Sequence, residues 1–98
     1  MNKGILYATP LAAFTLTVIK DFESNQEPLD SITLMQDEMA QLMPMLIDTH
    51  QINQLMVVGL NKNYIEGIGY QLIDILKDKK IEIIVAISSE EENAEISD

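Results

Sequence analysis

Two apolar runs constrain this chain more than any other feature. Gln54 to Leu60 (Gln-Leu-Met-Val-Val-Gly-Leu) and Ile81 to Ser88 are each of strand length, and residues 61–80 separate them. Continuous apolar runs of this kind suit strands of a parallel sheet covered on both faces. The intervening segment has helical period, with a stripe at Ile65, Ile68, Leu72, Ile75 and Leu76. Strand, helix, strand is the crossover unit that joins parallel neighbours, and such crossovers are right-handed. Asn63-Tyr64-Ile65-Glu66 fits a capping box with Asn63 as N-cap. The helix is expected to continue to about Lys79, with Lys77, Lys79 and Lys80 at its negative end. Gly67 and Gly69 weaken a helix interior by up to about 1 kcal/mol each, which is tolerable where the helix packs close to a sheet.

The first half supplies further elements. Residues 4–9 read as a short buried strand that Pro10 ends, because proline cannot donate to the ladder. Residues 14–20 alternate: Phe14, Leu16 and Val18 face one side, Thr15, Thr17 and Ile19 the other. The two segments are close enough to form an antiparallel hairpin. Asp21 to Asp30 is a polar loop, and Leu29 to Leu34 fits either a third strand or the start of the next helix. That helix spans Asp37 to Thr49, with Met35, Met39, Leu42, Met43, Leu46 and Ile47 at three-to-four spacing and a capping box at Thr33-Leu34-Met35-Gln36. Pro44 lies inside it and is expected to kink or divide it. Ser89 to Asp98 holds five acids and no base and reads as a disordered tail. The chain is therefore expected to be one α/β domain over residues 1–88 with an acidic tail at 89–98: a mixed sheet, an N-terminal antiparallel hairpin, then β-α-β-α-β crossovers.

Charge narrows the partners. The net charge is −10, all six bases are lysine and there is no arginine. Arginine is the preferred donor for bidentate phosphate and guanine contacts, and an acidic surface repels nucleic acid and anionic membrane. Direct binding to either is not expected, although a clustered array of acids would mimic nucleic acid. Without cysteine there is no disulfide, thiolate nucleophile or cysteine-based zinc site. No run approaches the roughly 18 apolar residues that span a bilayer, and Thr9 and Pro10 interrupt the N-terminal apolar stretch, which leaves a cytoplasmic location as the default.

The element order resembles that of the ribonuclease H-like superfamily, which includes the Holliday-junction resolvases. Those resolvases open with a strand ending Ile-Asp-Pro-Gly that turns into a hairpin, and Ile5-Leu6-Tyr7-Ala8-Thr9-Pro10-Leu11 looks like that segment. The resemblance spans residues 3–88 in pattern. It implies a site where carboxylates at strand ends hold two magnesium ions that activate water. Here Thr9 stands where the first aspartate would be, and the central strand's glutamate would fall near Gly59. Glu38 matches a helix-borne acid of the ribonuclease branch, but one carboxylate cannot hold a metal pair. The family's C-terminal helix, which covers the second sheet face, has no counterpart in residues 89–98.

Other chemistry is sparse. His50, the only histidine, reads as a helix C-terminal residue. Ser88 and Ser89 follow a strand with no base to activate them, and Asn61-Lys62-Asn63 precedes a helix N-terminus without a phosphate-binding glycine fingerprint. Met35, Met39, Met43 and Met45 read as core, with Met45 partly off the stripe, and Asp37, Glu38 and Asp48 as a solvated face.

No catalytic, cofactor-binding or metal residue is therefore expected, and the chain is not expected to be an enzyme. It reads as a protein-interaction module: a small acidic accessory or inhibitory protein, of a size that fits a phage or mobile element, acting as a homo-oligomer (a dimer foremost) or with a partner protein. A minimal metal-dependent nuclease is the alternative. With only two helices, both on one face, the other face would bare Ile and Val side chains. The tail has only Ala94 and Ile96 as apolar side chains, so a chain ending at Ser88 should keep its melting temperature within a few degrees. A large drop would show that the tail docks.

Overall fold

A computed structural model describes residues 1–9, 13–22 and 27–87. The chain runs β1 (Asn2–Ala8), β2 (Ala13–Ile19), β3 (Asp30–Met35), a 3-10 turn (Gln36–Glu38), α1 (Met39–Thr49), β4 (Ile52–Gly59), α2 (Lys62–Ile75) and β5 (Glu82–Ile87). The five strands form one open mixed sheet in the order β3-β2-β1-β4-β5. β1 pairs antiparallel with β2 and parallel with β4; β2 pairs antiparallel with β3, and β4 parallel with β5. The fold is thus α/β, with the expected hairpin and parallel pairs.

Cross-strand register sorts the side chains. Leu6 pairs with Leu16 and Val57, Ala8 with Phe14 and Gly59, Phe14 with Leu34, and Val57 with Val85. These residues share one face, and most are fully buried with Met39, Met43 and Ile47 of α1 and Ile65, Ile68 and Leu72 of α2 in one aliphatic core. Both helices therefore lie on the same side of the sheet. The reason is topological: β3 to β4 and β4 to β5 are crossovers that progress in the same direction across the sheet, and crossovers of one hand then place their helices on one face.

α2 lies close to the sheet because two glycines admit it. A Cβ on Gly59 would come within 2.5 Å of Ile65 Cγ2 and 3.0 Å of the Ala8 carbonyl oxygen. A Cβ on Gly69 would come within 2.8 Å of Val85 Cγ2. Gly67 has nothing within 4 Å and faces solvent. At the other helix, Gln51 ends α1 in the left-handed region at φ 53°. Its carbonyl accepts the Asn2 N–H at 2.9 Å, and the Asn2 side-chain amide donates to the His50 carbonyl at 2.7 Å, which ties the end of α1 to the start of β1.

Several local expectations are corrected. Residues 30–35 are a strand, so Thr33 is no helix cap; the Met35 N–H instead donates to the Glu38 carboxylate at 2.9 Å. Met35 is thereby an exposed strand residue rather than part of the helix stripe. Pro44 does not divide α1, which is one helix with Met39, Met43 and Ile47 buried on both sides of it. Asn61, not Asn63, caps α2, its side chain accepting the Tyr64 N–H at 2.9 Å. α2 stops at Ile75, so Lys77, Lys79 and Lys80 lie beyond its last turn. Among the described residues β4 and β5 have a helix on one face only, as expected of two helices on one side of the sheet, and no strand pairs with the outer edge of β5. The expected tail, 89–98, lies outside the described residues.

The glycines give a contrast that urea denaturation can measure. Gly59→Ala should destabilise by about 1–3 kcal/mol, because backbone lies on one side of the new methyl. Gly67→Ala, on an open helix surface, should stabilise by about 0.5–1 kcal/mol. Equal effects at the two positions would show that α2 does not press on β4.

Candidate functional site

The carboxyl ends of parallel strands are where α/β sheets bind ligands. Here that edge gathers Thr9, Gly59, Asn61 and the turn carrying Glu38. Each polar group is engaged locally. The Thr9 hydroxyl donates to the Ala13 carbonyl at 2.8 Å, beside the Thr9 N–H bond to the same oxygen at 3.1 Å, and so closes the hairpin. Glu38 caps its own turn, and Asn61 caps α2. Gln36 donates to Gln71 at 3.1 Å, linking that turn to α2. The methyl of Ile65 occupies the space a side chain at position 59 would need. Among the described residues no three His, Cys, Asp or Glu side chains converge as a metal site, and no polar side chain is buried.

The opposite edge holds the end of α1 and the turn after α2. His50 follows the last residue of α1, with its Nε2 3.5 Å from Asp30 Oδ2. Asp48 pairs with Lys79 at 2.6 Å, an exposed contact worth about 0–1 kcal/mol that joins α1 to the turn after α2. Lys62 and Asn63 are exposed in the first turn of α2, and Met45 is exposed on α1. Ser88 and Ser89 lie outside the described residues. The fold thus uses the candidates at the carboxyl edge as caps and ties: it brings Thr9, Gly59 and the Glu38 turn to one sheet edge, each engaged in its own local contact.

The larger feature is the sheet face away from the helices. It divides in two. Its β2–β3 half presents Thr15, Thr17, Ser31 and Thr33 in its middle, the polar exterior usual for an antiparallel pair, with Ile19 and the exposed Met35 at its ends. Its β1–β4–β5 half presents Ile5, Tyr7, Met56, Val58, Ile84 and Ala86 in two rows. Tyr7 is 40% exposed, and the other five are half-buried only by one another and their neighbours in the sheet. A polar band closes one end of this patch: Lys3 donates to Asn53 at 3.0 Å, and the Gln54 amide donates to the Glu82 carboxylate. With strands about 4.8 Å apart and same-face residues about 7 Å apart, its backbone footprint is about 10 by 7 Å, and the side chains widen it further.

No helix among the described residues is long and apolar enough to cross a membrane. A scan against known protein families finds no matching model, and a search of curated proteins finds no match.

The local bonds at the carboxyl edge define an outcome for Glu38. Glu38→Gln keeps an acceptor for the Met35 N–H and should change thermal stability by less than about 1 kcal/mol, whereas Glu38→Ala should lose about 0.5–2 kcal/mol. Neither the parent nor either variant should cleave branched or duplex DNA or RNA in magnesium or manganese. Metal-dependent cleavage by the parent that Glu38→Gln abolishes would make Glu38 a ligand rather than a cap.

Proposed function

We propose that the protein is a non-catalytic protein-interaction module, a small acidic accessory or inhibitory protein that binds a partner through the apolar half of its uncovered sheet face. One observation carries this reading: six apolar side chains from three adjacent strands form a continuous surface with both helices on the far side. Parallel strands are normally covered on both faces, and apolar surface left contiguous marks an interaction site. The strand order β3-β2-β1-β4-β5 supports the resemblance to the ribonuclease H-like superfamily. The chemistry at the carboxyl edge favours a degenerate member over a minimal nuclease, since Thr9, Gly59 and Glu38 serve the hairpin, the helix contact and the turn. The net charge of −10 favours a protein partner over nucleic acid.

The partner's complement is an apolar face about as wide as one helix, which is about 10–12 Å across with side chains. Lys3 and Glu82 at the rim would fix its register rather than supply most of the affinity. Met56→Glu places a charge at the centre of the patch without touching the core. It should abolish co-purification of the partner from source-cell lysate while leaving the melting temperature within a few degrees. A partner retained at full yield by Met56→Glu would place the binding surface elsewhere.

A further inference from the structure

A second apolar surface lies at right angles to the first, along the outer edge of β5. Among the described residues no strand pairs with that edge. Natural edge strands are usually guarded by lysine, proline or a bulge. β5 reads Glu-Ile-Ile-Val-Ala-Ile and has none of these. The other edge, β3, exposes Asp30, Ser31 and Thr33 and follows Pro28. Beside β5, α2 and the strand form a groove. Glu66, Gly69, Tyr70, Ile73 and Val85 line one part of it, and Ile73, Lys77, Ile81 and Ile83 are among the residues lining the next. Tyr70 is 74% exposed, Ile73 54% and Val85 40%.

We propose that this edge is a homodimer interface in which β5 pairs antiparallel with β5 of a second copy, and α2 packs antiparallel on its counterpart. The argument is self-complementarity, which any two-fold interface requires. The outer stripe of α2 and the turn after it reads Glu66, Tyr70, Ile73, Lys77. A two-fold axis between residues 71 and 72 sets Tyr70 against the second copy's Ile73, and Glu66 against its Lys77. Acid meets base at both ends, with an apolar centre. The strand agrees independently. Gly69 sits at the level of Val85, and Ile73 shares its groove with Ile83, so the same axis passes β5 at Ile84, the middle of the strand. Ile84 then faces itself, and Ile83 faces Val85. Separation also fits: α2 rests on β4 through Ile65 and on β5 at Gly69. A helix centred between those strands stands about 10 Å from its two-fold mate, within the range of packed helices.

The dimer is compatible with the partner surface proposed above and does not depend on it. It leaves the uncovered face open and joins two copies of its apolar half into one ten-stranded sheet. Residues 88–98 are a poor alternative occupant of the groove, since they carry five acids against Ala94 and Ile96.

The test is the mass of the full chain by light scattering at micromolar concentration, with melting curves for each variant. The parent should weigh twice 11.0 kDa. Glu66→Lys and Lys77→Glu should each weaken the dimer about tenfold, and the double variant should restore it, because both residues are exposed and each single reversal sets like charges together at two symmetric sites. Ile84→Cys, the only cysteine in its chain, should form a disulfide-linked dimer on mild oxidation, and Ser31→Cys on the opposite edge should not. Met56→Glu should leave the dimer intact. A monomeric parent, reversals without effect, or a dimer that Met56→Glu dissolves while Ile84→Cys fails to cross-link would each overturn the edge dimer. The last result would leave the uncovered face as the self-association surface, and loss of partner binding by Met56→Glu without loss of the dimer would separate the two surfaces.

Discussion

Both crossovers travel the same way across the sheet, and most of what distinguishes this molecule follows from that. β3 connects over β2 and β1 to β4, and β4 connects onward to β5. Two helices so placed share one face and one aliphatic core with the sheet. The glycines at 59 and 69 let α2 settle against β4 and β5. Among the described residues the same arrangement leaves the second face without a helix, and it places α2 at the margin of its layer, where its outer side borders the edge of β5. The two candidate interaction surfaces are therefore consequences of a single topological choice.

Among the described residues, the groups at the carboxyl edge are engaged locally, and this has an equally physical basis. A carboxylate site needs side chains that converge and a cavity to receive an ion. Position 59 sits where Ile65 must pack, so the helix contact and a ligand at that position exclude each other. Glu38 and Asn61 satisfy backbone donors that would otherwise be left at element starts. Residues that read as potential chemistry are thus the ones that terminate strands and begin helices.

The sequence made the periodic elements legible and left the boundaries ambiguous. The alternation of Phe14, Leu16 and Val18 and the apolar runs of β4 and β5 each identify a strand, because burial of one or both faces leaves its period in the residues. Residues 29–34 fit both strand and helix because Leu29 and Ile32 stand at helical spacing while Ile32 and Leu34 alternate as in a strand; pairing with β2 decides it. Asn61 and Asn63 both fit a cap, and the end of β4 at Gly59 selects the earlier one. Pro44 removes one backbone bond, yet Met39, Met43 and Ile47 bury the helix on both sides of it. The edge groove lies off the Ile65–Ile68–Leu72 stripe that faces the core. Its signal was present in Tyr70 and Ile73, two large apolar residues off that stripe, with Glu66 and Lys77 at equal spacing outside them.

Among the described residues the sheet has helices on one face only, and the central claim is that the other face is accessible in the isolated protein. The methionines are natural probes of it. Met39 and Met43 are buried on the inner side of α1, Met35 and Met45 are exposed, and Met56 alone lies at the centre of the uncovered face. Limited oxidation read by mass spectrometry should convert Met35 and Met45 to sulfoxide first, Met56 at an intermediate rate, and Met39 and Met43 only on unfolding. Protection of Met56 as complete as that of Met39 and Met43 would mean that another part of the chain, or a second copy, already covers this face, and would contradict the account.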